Sequence, residues 1–169
     1  SGNQISRFEA TPQAWLLSFV DSTSAASACG SNSVSSPYSK GYYERLKEDS
    51  ALSAAAVVPV ILRLLSPRSV IDVGCGSGTW TKVYRDSGVS VLGIDGAVVR
   101  EDQLLIPPAE FQRVDLGKPF GLKREFDLVN CLEVAEHLDE SRADGFVADL
   151  CRLGPIIVFS AAIPGQGGT

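Results

Sequence analysis

Long hydrophobic runs are absent from this sequence of 169 residues. No stretch approaches the roughly eighteen consecutive apolar residues that a membrane-spanning helix needs. The opening residues, Ser1-Gly2-Asn3-Gln4, also lack the basic segment followed by an apolar one that is typical of a secretory signal peptide. The sequence therefore predicts a soluble, cytoplasmic protein with no membrane partner.

Cysteine and histidine are scarce, and their spacing does not match the common metal sites. The four cysteines, Cys29, Cys75, Cys131 and Cys151, form no Cys-x-x-Cys pair, so free reduced thiols are the expected state. His137 is the single histidine. Because a zinc or transition-metal site normally needs several convergent ligands of these types, we expect no bound metal.

Positive charge is also in the minority. The chain carries 15 Lys and Arg residues against 20 Asp and Glu residues, which gives a net charge of -5. Broad phosphate-binding surfaces are basic, so nucleic acid is not expected as a partner. With 44% hydrophobic residues, the chain is long enough to bury the core of one α/β domain.

The most informative segment is an apolar strand followed by a glycine-rich turn, Val70-Ile71-Asp72-Val73-Gly74-Cys75-Gly76-Ser77-Gly78-Thr79. Its β-branched residues predict a short buried strand, and its glycines allow a tight turn that a ligand can approach closely. A dinucleotide fingerprint would need a glycine where Thr79 stands. Asp72 would repel a diphosphate but attract a cationic amino acid or a sulfonium, which favours S-adenosylmethionine over NAD.

The residues from Asp72 to Gly78 resemble the first motif of the Rossmann-like, class I S-adenosylmethionine-dependent methyltransferases. Three further motifs follow in the order that is found in this family. Asp95 ends a second predicted strand, Asp115 ends a third, and positions 126–138 resemble the fourth strand and the loop that faces the methyl group. The resemblance covers roughly positions 40 to 165.

The resemblance implies an α/β fold, a doubly wound and mainly parallel Rossmann-like sheet of about five strands in the order 3-2-1-4-5. The sixth and seventh strands of the family have no counterpart in these residues. We therefore expect positions 37–169 to form an S-adenosylmethionine-binding methyltransferase domain that is truncated at its C-terminus. Positions 1–36 are an N-terminal extension to which the sequence assigns no role.

The fifth predicted strand, Ile156 to Ala161, would stand at the edge of that sheet. It is strongly apolar and contains none of the charges or prolines that usually protect an edge. We expect this edge to be open, and therefore either to self-associate or to need residues beyond Thr169. The alternative is that the apolar segment from Trp15 to Val20 covers it.

The resemblance also implies a set of cofactor-binding residues. The glycine loop and Asp72 would hold the methionine portion, Asp95 the ribose hydroxyls, and Asp115 with its neighbouring backbone the adenine. A tyrosine upstream of the first predicted helix, Glu48 to Leu65, would shield the cofactor from water, with core packing as the alternative. The predicted set is Asp72, Gly74, Cys75, Gly76, Gly78, Asp95, Gly96, Asp115, Leu116 and Tyr43.

The candidate catalytic residues follow the fourth predicted strand. His137 is the candidate general base, because imidazole accepts protons near neutral pH, and a helix cap or a bond to a carboxylate is the alternative role. Glu133 follows a strand end that should face the cofactor, whereas Glu136 is expected to be a solvated helix charge. The pattern Glu133-x-x-Glu136-His137 is similar to that of metal-dependent small-RNA 2′-O-methyltransferases, but their further histidine is missing here.

The resemblance implies an enzyme that transfers a methyl group from S-adenosylmethionine to an oxygen or nitrogen nucleophile of a small molecule, with S-adenosylhomocysteine as the product. The alternative is a non-catalytic cofactor-binding or interaction module derived from a methyltransferase. An NAD-dependent oxidoreductase is disfavoured by Thr79.

Overall fold

The computed structural model describes residues 16–17, 40–96 and 99–162, with side chains from position 49 onward. These residues form one sheet with helices on both faces. The strands are β1 (Leu16–Leu17), β2 (Ser69–Val73), β3 (Ser90–Asp95), β4 (Phe111–Arg113), β5 (Leu128–Leu132) and β6 (Ile157–Ser160). The helices are α1 (Lys40–Leu65), α2 (Thr79–Asp86) and α3 (Ala143–Leu153), with short 3-10 turns at Glu101–Gln103, Pro108–Glu110, Ala135–His137 and Glu140–Arg142.

The strands lie in the order β1-β6-β5-β2-β3-β4, and every neighbouring pair is parallel. From β4 to β6 this arrangement is the predicted 3-2-1-4-5 order, so the Rossmann-like fold is confirmed. The chain passes from one half of the sheet to the other between β2 and β5. In open parallel sheets such a reversal leaves a crevice at the carboxyl ends of the strands, where ligands bind.

Strand β2 is apolar on both faces, as a central parallel strand should be. Ile71 and Val73 belong to a buried cluster between the sheet and α3. Val70 faces the opposite side, where it packs with residues of α1 and α2. Asp72 lies in the same strand and is only 4% exposed, so it is a buried polar residue in an otherwise apolar setting.

The short strand β1 corrects the expectation of an open sheet edge. Leu16 and Leu17 pair in parallel with Ile157 and Val158 of β6. The predicted open edge is therefore wrong for these two β6 residues, and the alternative, coverage by the apolar N-terminal segment, is confirmed there. The physical reason is that an apolar strand with unpaired N–H and C=O groups readily accepts a further strand. Self-association through the rest of β6 stays a prediction.

Helix α1 begins at Lys40 rather than near Glu48, and it continues past Pro59 to Leu65. A proline inside a helical pattern predicts a kink or an early break, and the early break does not occur at Pro59. Proline costs the helix a hydrogen bond, but α1 buries apolar residues on both sides of it in the cluster beside α2, and this packing offsets the cost. Tyr43 consequently lies within α1 and not upstream of it, and its side chain lies outside the described ones. In the described ranges, no helix combines the length and apolarity that crossing a membrane requires.

Candidate functional site

Three left-handed backbone conformations shape the glycine loop between β2 and α2. The φ angle is +77° at Gly74, +55° at Gly76 and +85° at Gly78, a range that residues with a Cβ rarely adopt. Gly74 has a second requirement, because a Cβ there would lie 2.3 Å from Cγ2 of Val134. A Cβ on Gly76 would instead meet no heavy atom within 4 Å. The loop is therefore packed on one side and open on the other.

Hydrogen bonds tie this loop to the carboxyl end of β3. The N–H of Gly74 donates to the carbonyl of Ile94 at 2.8 Å. The N–H of Gly76 donates to Oδ2 of Asp95 at 2.6 Å, and Oδ1 of the same carboxylate accepts the N–H of Gly96 at 2.6 Å. Since each carboxylate oxygen carries two lone pairs, Asp95 is held in one orientation and still has acceptor capacity.

Cys75 is turned into the protein rather than toward the open side of the loop. It is 9% exposed, and a Cβ added to Gly93 would lie 2.8 Å from its sulfur. Burial raises the pKa of this thiol, and the charges of Asp72 and Asp95 raise it further. Only the backbone of Cys75 is therefore placed to contact a ligand. Among the described cysteines, Cys75, Cys131 and Cys151 are free thiols, as predicted.

A buried polar network lies beneath the loop. Oδ2 of Asp72 accepts the Thr81 hydroxyl at 2.6 Å, and Oδ1 accepts Nδ2 of Asn130 at 2.8 Å. The Tyr84 hydroxyl lies 3.4 Å from Oδ1 of Asn130 and donates to it. Burial raises the pKa of Asp72 above its usual range, and the hydrogen bonds from Thr81 and Asn130 limit that rise without cancelling it. Both oxygens of Asp72 are thus engaged within the protein.

Sequence reasoning missed Thr81 and Asn130 as partners of Asp72. A signal was present for Asn130, which is the one polar residue in the buried strand Leu-Val-Asn-Cys-Leu. Buried polar side chains are normally hydrogen-bonded, so a single amide in such a strand indicates a polar partner nearby. Thr81 carried no comparable signal, because its role depends on how α2 packs against the sheet.

The predicted adenine-binding residues lie just beyond β4, which ends at Arg113. The Asp115 side chain is 59% exposed and forms an ion pair with Lys118 at 2.8 Å. The hydrogen bond from Lys118 holds the pKa of Asp115 below its usual range, so this carboxylate is ionised at neutral pH. The Leu116 side chain is buried in the cluster under α3, which leaves its backbone for any ligand contact.

Glu133 and His137 are both exposed and lie in the segment after β5, with His137 at the end of a 3-10 turn. Glu133 has a φ angle of +55°, which is unusual for a residue with a side chain. Its Oε1 accepts the Ser160 hydroxyl at 2.7 Å, and its N–H donates to the Ser160 carbonyl at 2.9 Å. These two bonds hold a strained residue between β5 and β6, and such residues cluster at functional sites.

Glu136 is not the solvated charge that the sequence predicted. Its Oε2 is buried and has no hydrogen-bond donor among the described residues. As far as the described ranges extend, Glu136 is therefore a hydrogen-bond acceptor without a donor in the segment after β5. Its charge also acts on Cys131: burial raises the pKa of the Cys131 thiol, and the charges of Asp72 and Glu136 raise it further. No three His, Cys, Asp or Glu side chains in the described part of the chain lie close enough together to hold a metal ion.

The parallel sheet brings the predicted residues to the crevice at the carboxyl ends of its strands, because each residue lies at or just after such an end. Asp72 and the glycine loop lie at the end of β2, and Asp95 and Gly96 at the end of β3. Asp115 follows β4, and Glu133 and His137 follow β5. The open side at Gly76 and the acceptor capacity of Asp95 fit a cationic adenosyl cofactor better than a diphosphate.

Comparison with known proteins agrees with this arrangement. Residues 46–146 match the model of a methyltransferase domain family. Magnesium protoporphyrin IX methyltransferase, chloroplastic, from Arabidopsis thaliana is 30% identical over 121 residues, which cover 64% of this chain and 39% of that protein. Ubiquinone biosynthesis O-methyltransferase from Pseudomonas paraeruginosa is 35% identical over 83 residues, which cover 45% of this chain and 36% of that protein. The chain thus spans less than half the length of these curated relatives.

A solved structure has the same fold. The structure of S-adenosylmethionine-bound CalS10, an amino pentose methyltransferase from Micromonospora echinaspora, aligns with a TM-score of 0.60 at 23% identity. The alignment covers 76% of this chain and 59% of that one. The family match extends from α1 to α3 and covers more than half of the 169 residues. The chain therefore belongs to the methyltransferase domain family, in the class I, Rossmann-like group of S-adenosylmethionine-dependent methyltransferases.

Proposed function

We propose that this chain binds S-adenosylmethionine and transfers its methyl group to an oxygen or nitrogen nucleophile of a small molecule. The observation that carries the proposal is the glycine loop held against the Asp95 carboxylate at the switch point of the sheet. When bound, the cofactor supplies an electrophilic methyl group on a positively charged sulfur. We assign this function to positions 37–169, with positions 1–36 as an extension.

Each binding role follows from a group that the site leaves available. Asp95 accepts hydrogen bonds from the ribose hydroxyls with the lone pairs that Gly76 and Gly96 do not use. Asp115 and the Leu116 backbone hold the adenine. Asp72 acts on the methionine end through its charge from beneath the loop, rather than through a free oxygen. Tyr43 covers the cofactor.

His137 takes the proton from the hydroxyl or amine of the acceptor as the methyl group is transferred. Glu133, which Ser160 holds in place, orients that acceptor. In-line methyl displacement needs alignment of the reactants and exclusion of water, and it needs no covalent enzyme nucleophile. The absence of an activated Cys at the loop, where burial keeps the Cys75 thiol neutral, is consistent with such a mechanism.

The relatives differ in the nucleophile that their names state. One is a ubiquinone biosynthesis O-methyltransferase, whereas CalS10 is an amino pentose methyltransferase. The test therefore uses both kinds of nucleophile. Calorimetry with S-adenosylhomocysteine measures binding, and labelled S-adenosylmethionine measures transfer to catechol and to benzylamine. Failure to bind S-adenosylhomocysteine would contradict the proposal, and binding without transfer to either probe would favour the non-catalytic module.

The His137→Gln variant is expected to transfer the methyl group about a hundredfold more slowly, because the general base is lost. Its affinity for S-adenosylhomocysteine should stay unchanged, since His137 is assigned to the acceptor and not to the cofactor. Glu140→Gln, an exposed change in the next turn, is the matched control. Transfer by His137→Gln at the wild-type rate would exclude His137 as the base.

The Asp95→Ala variant is expected to bind S-adenosylhomocysteine more weakly by about 1–3 kcal/mol, because charge-assisted hydrogen bonds to the ribose are lost. Calorimetry measures the change, and Asp102→Ala, an exposed acid paired with Arg100, serves as the control. The 2′-deoxy analogue separates ribose contact from support of the loop. If Asp95 binds the ribose, removal of the 2′-hydroxyl weakens binding to the wild type more than to Asp95→Ala.

A further inference from the structure

Two different elements hold the Asp72 carboxylate beneath the glycine loop. Thr81 lies in the first turn of α2, and Asn130 lies on β5 directly opposite Asp72 in the strand register. Both side chains are fully buried, with 1% and 0% exposure. Because the Tyr84 hydroxyl donates to Oδ1 of Asn130, the amide of Asn130 is oriented with Nδ2 toward Asp72. The carboxylate therefore has a fixed position.

The donors around Asp72 favour its ionised form. Thr81 and Asn130 each donate to a different oxygen, and a carboxylate accepts at both oxygens whereas a protonated carboxyl must itself donate at one. Desolvation is the larger influence and raises the pKa of Asp72, so the carboxylate depends on these two hydrogen bonds to keep its charge. A charge kept in such a dry place acts more strongly on its surroundings than the same charge in water.

We propose that Thr81 and Asn130 are positioning residues of the cofactor site, which keep Asp72 as a fixed negative charge that favours the cationic methyl donor over its neutral product. This inference rests on the proposed function. S-adenosylmethionine and S-adenosylhomocysteine share their adenosine, ammonium and carboxylate groups. They differ in the methyl group and in the positive charge on sulfur. A negative charge beneath the loop therefore changes the two affinities unequally, while a general loosening of the loop weakens both alike.

The other ionisable groups around Asp72 do not replace this charge. Asp95 is a second carboxylate that acts on Asp72, and the variants below leave it unchanged. Cys75 in the loop, Tyr84 on α2 and Cys131 on β5 are neutral at physiological pH, because burial raises the pKa of each. A change in the preference for S-adenosylmethionine over S-adenosylhomocysteine after substitution of Thr81 is thus due to Asp72.

The experiment measures the dissociation constants of S-adenosylmethionine and S-adenosylhomocysteine by calorimetry on the full chain. Thr81→Val keeps the shape and removes the hydroxyl donor. We expect it to raise the ratio of the dissociation constant of S-adenosylmethionine to that of S-adenosylhomocysteine about three- to tenfold, because one nearby negative charge is partly lost. Thr81→Ser restores the hydroxyl and should restore the ratio. Ser87→Ala, at the other end of α2, is the matched control and should leave the ratio unchanged.

Equal weakening of both ligands by Thr81→Val, or an unchanged ratio, would overturn the inference. Thermal unfolding shows whether the variant is folded. If it is not, Tyr84→Phe supplies the comparison, because without the tyrosine hydroxyl the Asn130 amide is no longer held with Nδ2 toward Asp72. Its ratio should rise by about twofold, and an unchanged ratio there also overturns the inference. A wild-type chain that binds neither ligand would contradict the proposed function instead.

Discussion

The Gly74→Ala variant is expected to lose about 2–5 kcal/mol of unfolding free energy and to lose measurable binding of S-adenosylhomocysteine. The left-handed backbone at φ +77° costs a residue with a Cβ about 1–2 kcal/mol. The new methyl group would also lie 2.3 Å from Cγ2 of Val134, and overpacking of this kind costs about 1–3 kcal/mol more. Urea denaturation and calorimetry measure the two effects.

Gly88→Ala is the matched control for this prediction. Gly88 has a φ angle of +87°, but a Cβ there would meet no heavy atom within 4 Å. It should therefore show the conformational cost alone, about 1–2 kcal/mol. Equal losses for the two variants would mean that Val134 moves aside without cost, and that contact with Val134 is not what requires glycine at position 74.

The Asp149→Ala variant is expected to lose about 3–5 kcal/mol of unfolding free energy, because it leaves the Arg142 guanidinium buried without its counter-charge. Asp149 is 2% exposed and accepts hydrogen bonds from Arg142, Arg152 and the N–H of Phe120. Arg142 is 8% exposed and also donates to the Lys118 carbonyl at 3.0 Å. These hydrogen bonds connect α3 to the segment after β4. Denaturant unfolding measures the loss of unfolding free energy in the variant.

Two controls distinguish the buried pair from ordinary surface charges. Arg152 has a side chain that is 60% exposed, so Arg152→Ala should cost less than about 1 kcal/mol. The double variant Asp149→Leu with Arg142→Met removes both charges and should recover much of the stability that Asp149→Ala loses. A double variant as unstable as Asp149→Ala would show that packing, and not an unpaired charge, is responsible for the loss.

Much of the site could be predicted because its signals are local in the chain. The run from Val70 to Gly78 specifies a buried strand and a left-handed turn, because β-branched residues favour strands and glycine favours positive φ angles. Asp95 and Asp115 could be placed because parallel strands bring their carboxyl ends to one edge. The partners of Asp72 could not be placed, since Thr81 and Asn130 meet it only when α2 and β5 pack around β2.

The sequence by itself located the buried strand and the glycine loop, since hydrophobic periodicity and glycine spacing act over a few residues at a time. Its resemblance to a known family implied the class of fold and the order of five strands. Tertiary structure alone decided how the sheet edge is covered, because the pairing of Leu16 with Ile157 joins segments that are distant in the chain. It also decided that Asp72 is enclosed and that Glu136 is partly buried. Burial depends on every element that packs around a residue, and no local pattern records that packing.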